Sequence, residues 1–66
     1  MPLEAHEYEE LANVKLNGPI WPGDSISHDT LNSIVGRGWA VRYPNGLVGI
    51  TDAGLRALKR WIEETP

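Results

Sequence analysis

The segment 17–27, NGPIWPGDSIS, limits the fold of this chain more than any other stretch. Two prolines and two glycines in eleven residues leave no room for an ordinary helix, because proline lacks an N–H donor and glycine weakens helices. A residue before proline is also pushed toward extended angles, which predicts a short extended piece at Ile20-Trp21, and Pro22-Gly23 is typical of a turn. The chain is therefore divided into one N-terminal helical segment and a longer C-terminal part.

The segment 3–16 before this break has the pattern of an amphipathic helix. Apolar side chains recur at steps of three and four residues and predict one buried stripe. The stripe consists of Ala5, Tyr8, Leu11, Ala12 and Leu16. Four glutamates crowd the first turns, where the helix dipole tolerates negative charge. These are Glu4, Glu7, Glu9 and Glu10. We interpret them as a solvated helix face or as a docking surface for a basic partner.

A loop over 17–26 leads into a second predicted helix over 27–37. Ser27 has the chemistry of an N-cap, and Ile26 before it is placed to act as a hydrophobic staple. Helical spacing predicts an inward face of Leu31, Ile34 and Val35. The same spacing predicts an outward face of His28, Asn32, Ser33 and Arg37. Gly38 suits the left-handed residue that ends such a helix.

Residues 39–51 are predicted to form a β-hairpin, followed by a last helix over 52–64. The alternation from Trp39 to Tyr43 is typical of a half-buried strand, and Tyr43-Pro44-Asn45-Gly46 fits a type I turn. Thr51 can cap the last helix, whose predicted inward residues are Leu55, Leu58, Trp61 and Ile62. The expected fold class is a compact α+β domain in the order helix, loop, helix, β-hairpin, helix.

The composition fits one small globular domain without disulfide bonds. Because the chain has 66 residues, it buries only roughly 60% of its unfolded surface on folding. The absence of cysteine excludes disulfides and thiolate metal sites and is compatible with a reducing cytoplasm. The N-terminus is acidic, unlike a secretory signal, and no apolar run approaches the ~20 residues that span a bilayer. We expect a single soluble, cytoplasmic domain over 1–66.

The net charge of −3 hides a segregation of charge along the chain. Residues 1–24 carry five acidic side chains and one lysine, a balance of −4. Residues 25–62 carry five basic side chains and two aspartates, a balance of +3. Such a pattern suggests two faces with different neighbours. The negative total argues against strong non-specific attraction to polyanions.

The stretch 31–58, LNSIVGRGWAVRYPNGLVGITDAGLRAL, resembles the wing region of winged helix-turn-helix domains. A helix ending in glycine precedes a strand with arginine, a glycine-containing tip and ITDAGLRAL. This last piece looks like the (Leu/Ile)-Thr-x-x-Gly-x-x-x-Leu pattern that follows the wing in many small bacterial and phage regulators, MarR-like ones included. The resemblance covers about residues 18–58. It differs in one respect, because a Pro/Gly-rich loop stands where these domains have a full middle helix.

The resemblance implies that the helix before the wing enters a DNA major groove and that the wing tip meets phosphate or the minor groove. Carried over by position, the candidate groove contacts are His28, Thr30, Asn32, Ser33 and Arg37. The candidate wing contacts are Arg42, Tyr43 and Asn45. The chemistry is compatible, since asparagine pairs with adenine edges and arginine with guanine or phosphate. The alternative is that these residues only form a solvated surface, with Asn45 serving the turn.

Other patterns favour structural roles. The three tryptophans, Trp21, Trp39 and Trp61, stand at apolar phases typical of core residues, although base stacking in a single-strand binder is the alternative. Arg56, Lys59 and Arg60 complement the dipole of the last helix or extend a basic surface. His6 has helical spacing to Glu9 and Glu10, but one histidine without cysteine does not predict a metal site. Ser27-His28-Asp29 contains the residue types of a catalytic triad, but adjacent residues on a helix point apart and do not predict a nucleophile.

We therefore predict a DNA-binding small regulatory protein of winged-helix type, acting in transcriptional or recombination control in a phage, prophage or bacterium. Its partner would be double-stranded DNA, and a homodimer or protein partner would supplement its few positive charges. The alternative hypothesis is a protein–protein interaction module with the same fold and no direct DNA binding, which the net acidity favours. We predict no enzyme activity, no cofactor and no membrane contact.

Overall fold

The computed structural model describes residues 4–64 as a small α+β domain of three helices and one two-stranded antiparallel hairpin. The elements are α1 (Ala5–Asn17), a 3-10 turn (Pro22–Asp24), α2 (His28–Gly36), β1 (Ala40–Arg42), β2 (Val48–Ile50) and α3 (Asp52–Glu64). This order confirms the predicted fold class. Residue 3, where the first helix was predicted to begin, lies outside the described residues. No helix among residues 4–64 has the length and apolar character needed to cross a membrane.

Helix α2 begins and ends as its sequence predicts. The side chain of Ser27 accepts a hydrogen bond from the backbone N–H of Thr30 at 3.5 Å, which makes Ser27 the N-cap. After the helix, Gly38 adopts a left-handed φ of 79°. The next N–H, that of Trp39, donates to the carbonyl oxygen of Ile34 at 3.0 Å. This glycine-dependent ending turns the chain directly into β1.

The hairpin pairs Ala40 with Ile50 and Arg42 with Val48. Its tip closes with a hydrogen bond from the N–H of Gly46 to the carbonyl oxygen of Tyr43 at 2.9 Å. The predicted extended piece at residue 20 also pairs with this hairpin. Ile20 and Val48 exchange two backbone hydrogen bonds of 2.9 and 2.8 Å, so the loop after α1 is tied to the outer edge of β2.

One apolar core joins all of these elements. Its buried members are Leu11, Val14, Ile20, Leu31, Ile34, Ala40, Val48 and Leu58. The predicted inward face of α2 is confirmed, because Leu31 and Ile34 are buried and Val35 packs against the same cluster. Ile26 is exposed, so the predicted hydrophobic staple before α2 is wrong.

The predicted apolar stripe of α1 is confirmed at Leu11, which is buried, and at Tyr8 and Ala12, which pack against the core, but it is wrong at its two ends. Leu16 is 82% exposed and Ala5 is also exposed, whereas Val14 is fully buried. The buried face contains Glu7 and Glu10, which share the helical spacing of the core side chains. Polar side chains share the buried face because α2 and the chain before it present polar partners to α1.

Helix α3 packs through Gly54, Leu58 and Trp61. The predicted inward position is confirmed for Leu58 and Trp61, whereas Leu55 and Ile62 are exposed contrary to the prediction. Gly54 permits this orientation of α3 against the hairpin because it has no side chain. A methyl group added at Gly54 would overlap the backbone carbonyl oxygen of Trp39 and would lie 2.8 Å from Cγ1 of Ile50. The missing side chain thus lets the first turn of α3 approach the hairpin closely.

We expect Gly54→Ala to lower the free energy of unfolding by about 1 to 3 kcal/mol, because the new methyl forces backbone apart in a packed region. Gly36→Ala is the matched control. Nothing lies within 4 Å of a methyl at Gly36, and alanine there should stabilise α2 by up to about 1 kcal/mol. Urea denaturation measures both changes. Equal midpoints for Gly54→Ala and the parent protein would contradict the close packing of α3.

Candidate functional site

Two glutamates of α1 are buried against α2. The relative exposure of Glu7 is 1% and that of Glu10 is 0%. Removing a carboxylate from water costs several kcal/mol unless hydrogen bonds and opposite charges replace the water. Both residues were predicted to lie on a solvated or docking face, and for them this prediction is wrong. The residues that compensate the two buried charges come from α2 and from the loop before it.

Glu10 binds the chain just before α2. Its carboxylate accepts hydrogen bonds from the backbone N–H groups of Ile26 at 3.0 Å and Ser27 at 3.2 Å. The side-chain amide of Asn13 donates a third at 3.0 Å. Since no intrahelical acceptor exists for N–H groups at a helix start, Glu10 satisfies donors that α2 cannot satisfy itself. A negative charge also suits this end of the helix dipole.

Glu7 binds the middle and the end of α2. Its Oε2 accepts a hydrogen bond from Oγ of Ser33 at 2.8 Å and lies 2.8 Å from Nε of Arg37. Its Oε1 accepts from the backbone N–H of Glu4 at 3.3 Å. The guanidinium of Arg37 also lies 5.0 Å from the ring centroid of Trp39, a cation–π contact. Arg37 is therefore held between a carboxylate and an aromatic face.

The pKa of Glu7 results from opposing effects. Burial raises it, but the hydrogen bonds from Ser33 and from the Glu4 backbone lower it, as do the charges of Arg37 and His6. The net result is a pKa below the ordinary value of 4.5. A depressed pKa in the folded state means that ionised Glu7 stabilises the fold. This contribution is complete above pH 4.5 and is lost as the pH falls through the folded-state pKa.

The candidate groove contacts on α2 fall into two groups. His28 and Asn32 are exposed, as predicted for an outward face. Thr30 is buried, with a relative exposure of 8%. Ser33 and Arg37 are half-buried and hold Glu7, so the prediction that they lie on an open outward face is wrong. Helix α2 therefore offers a ligand fewer side chains than its spacing predicted.

The candidate wing contacts lie on the hairpin. Arg42 is exposed, and its guanidinium donates a hydrogen bond to the side-chain oxygen of Asn32. Tyr43 is exposed, although its ring also covers Gly49, where an added methyl would lie 2.6 Å from Cε2 of the tyrosine. The side chain of Asn45 accepts from the N–H of Leu47 at 3.0 Å, which is the turn role that the alternative interpretation gave it.

The three tryptophans have three different environments. Trp61 stacks on Tyr8 with ring centroids 4.1 Å apart and an interplanar angle of 18°, which joins α3 to α1. Trp39 packs against the core under Arg37. Trp21 is 55% exposed, so its predicted core role is wrong. The structure thus leaves one tryptophan ring open to solvent.

The described residues bring one group of possible metal ligands together. Atoms of Glu4, His6 and Glu7 lie within 4.8 Å of one another. Both oxygens of Glu7 already accept hydrogen bonds, and one also pairs with Arg37. A cation at this place would compete with that guanidinium. Glu10, which the sequence places near His6 at helical spacing, is committed to the start of α2.

We expect Glu7→Gln to lower the free energy of unfolding by about 2 kcal/mol at neutral pH, because the variant leaves Arg37 without its carboxylate. The difference from the parent protein should shrink on acidification, since the parent protonates Glu7 as the pH falls below 4.5. Urea denaturation at a series of pH values measures it.

Glu9→Gln is the matched control for this measurement, because Glu9 lies on α1 and is exposed. At neutral pH its free energy of unfolding should stay close to that of the parent protein, because exposed Glu9 makes none of the buried contacts of Glu7. A difference between Glu7→Gln and the parent that does not change with pH would show that the ionised carboxylate has no special role.

No protein-family model, curated protein or solved structure matches the chain. A functional assignment therefore depends on the geometry of residues 4–64 and on the motif resemblance of the stretch 31–58.

Proposed function

We propose that α2 and the hairpin form one surface that binds double-stranded DNA, with α2 in the major groove and the hairpin tip on the backbone. The contact between Arg42 and Asn32 carries this proposal, because it joins the strand and the helix into one polar surface. His28 extends this surface toward the start of α2, and Tyr43 is exposed beside the hairpin tip. We call these four residues the α2–hairpin surface.

The chemistry of this surface suits a duplex. The carboxamide of Asn32 can donate to and accept from an adenine edge, and the guanidinium of Arg42 can bind phosphate or guanine. Among residues 4–64 no carboxylate pairs with Arg42, so its charge remains available to a polyanion. The contact with Asn32 also restricts the arginine before binding, which lowers the entropy lost in the complex.

Ser33 and Arg37, which the resemblance also offers as groove contacts, have supporting roles in this proposal. Ser33 and Arg37 hold α2 against Glu7, and the charge of Arg37 is matched by that carboxylate. One copy of the chain then neutralises few phosphates, which predicts weak binding whose salt dependence is small for a DNA-binding protein. A second copy or a partner protein would supply the rest of the affinity, as in other regulators that read two half-sites. The proposed role is transcriptional or recombination control without catalysis.

We expect amide NMR resonances of residues 28–32 and 42–46 to shift when labelled protein is titrated with a mixed-sequence duplex at about 50 mM salt. The shifts should fade near 200 mM salt, because each neutralised phosphate makes binding salt-dependent. An absence of shifts at the lower salt would end the DNA proposal.

Two variants locate the contact. Arg42→Gln should remove most of the shifts, since it deletes the cation of the α2–hairpin surface. Lys15→Gln deletes the same charge from the exposed side of α1 and should leave the shifts in place. Equal losses in the two variants would indicate diffuse attraction and would contradict a defined surface.

A further inference from the structure

A shallow groove lies between the C-terminal end of α1 and the loop that follows it. Its volume is about 330 Å³. The lining residues are Asn13, Asn17, Pro19, Ile20, Trp21 and Asp24. The exposed ring of Trp21 lies next to the hairpin, because a methyl at Gly46 would be 3.3 Å from its Cζ3 atom. The groove thus has an aromatic wall that the core does not use.

The asparagines of this groove form a hydrogen-bonded chain with a fixed direction. The buried carboxylate of Glu10 can only accept, so it takes the side-chain NH₂ of Asn13 at 3.0 Å. The oxygen of Asn13 then accepts the NH₂ of Asn17 at 2.7 Å. The oxygen of Asn17 is left as the outer end of the chain. Because hydrogen bonds in series polarise one another, the buried charge increases the negative character of that oxygen.

The groove therefore offers acceptors and few donors. The NH₂ groups of Asn13 and Asn17 are used within the chain and on backbone oxygens. Asp24, which is exposed, adds a carboxylate to the lining residues. Acceptors beside an aromatic face are the combination that binds organic cations, through hydrogen bonds and the negative face of the ring.

From this arrangement we infer that the groove of Trp21, Asn17 and Asp24 binds an arginine side chain from a basic segment of a partner protein. A guanidinium fits better than an ammonium, because it is planar, stacks on tryptophan and donates in several directions. The charge agrees, since Asp24 is the one charged residue among the lining residues and it is negative. A nucleic-acid base would also stack on Trp21, but its phosphates would meet the carboxylate of Asp24. The groove shares no residue with the α2–hairpin surface.

The test is an NMR titration of the full chain with the blocked peptide Gly-Arg-Gly-Arg-Gly, to about 5 mM because a single-side-chain site binds weakly. We expect the indole N–H of Trp21 and the side-chain amides of Asn13 and Asn17 to shift and saturate. The same peptide with citrulline, which is close in shape and neutral, should produce no saturating shift. Equal shifts with both peptides would overturn the proposal.

Three variants separate a defined site from general acidity. Asp24→Asn should weaken binding about threefold or more, whereas Glu9→Gln, which removes an equal charge from α1 outside the groove, should not. Trp21→Leu should abolish saturation, with the indole signals of Trp39 and Trp61 reporting that the fold is intact. Equal weakening by Asp24→Asn and Glu9→Gln would overturn the proposal, as would stronger shifts of Trp21 with a single-stranded oligonucleotide than with the arginine peptide.

Discussion

The position of α2 depends on the carboxylate of Glu10 beneath its first turn. A charge with no exposure to water is tolerated only where donors converge on it, and here two backbone N–H groups and an asparagine amide do so. Glu7 adds a second connection farther along the same helix, through Ser33 and Arg37. Between α1 and α2 the chain has only a 3-10 turn of three residues. The hydrogen bonds and the ion pair of these two glutamates orient α2 against α1.

The same two carboxylates shape both surfaces for which we propose ligands. Because Arg37 pairs with Glu7, it does not belong to the outer face of α2. Arg42 and its neighbour Asn32 then form the polar centre of the α2–hairpin surface. Glu10 orients Asn13, whose oxygen in turn orients Asn17 at the edge of the Trp21 groove. Acidic side chains of α1 therefore lie in the interior of the domain as well as on its surface. Net charge alone describes neither surface.

Features decided by neighbouring residues could be predicted from the sequence. The caps at Ser27 and Thr51 and the turn before Gly46 depend on chemistry within a few positions, and all three are confirmed. The buried face of α1 could not be predicted in this way. Glu7 and Glu10 have core spacing, but their partners lie 26 and 16 residues away, and a glutamate is solvated unless such partners exist. The exposure of Trp21 likewise depends on packing of the distant hairpin.

The pairing of Ile20 with Val48 also affects how this domain behaves at high concentration. A sheet edge with open backbone groups can recruit a strand from another molecule and start aggregation. Here Ile20 pairs with the outer edge of β2 at Val48, and the other strand, β1, is only three residues long and carries Arg42. Short strands with a charged residue pair poorly with copies of themselves. The loop after α1 therefore covers the backbone of Val48, where a strand of a second molecule would otherwise pair.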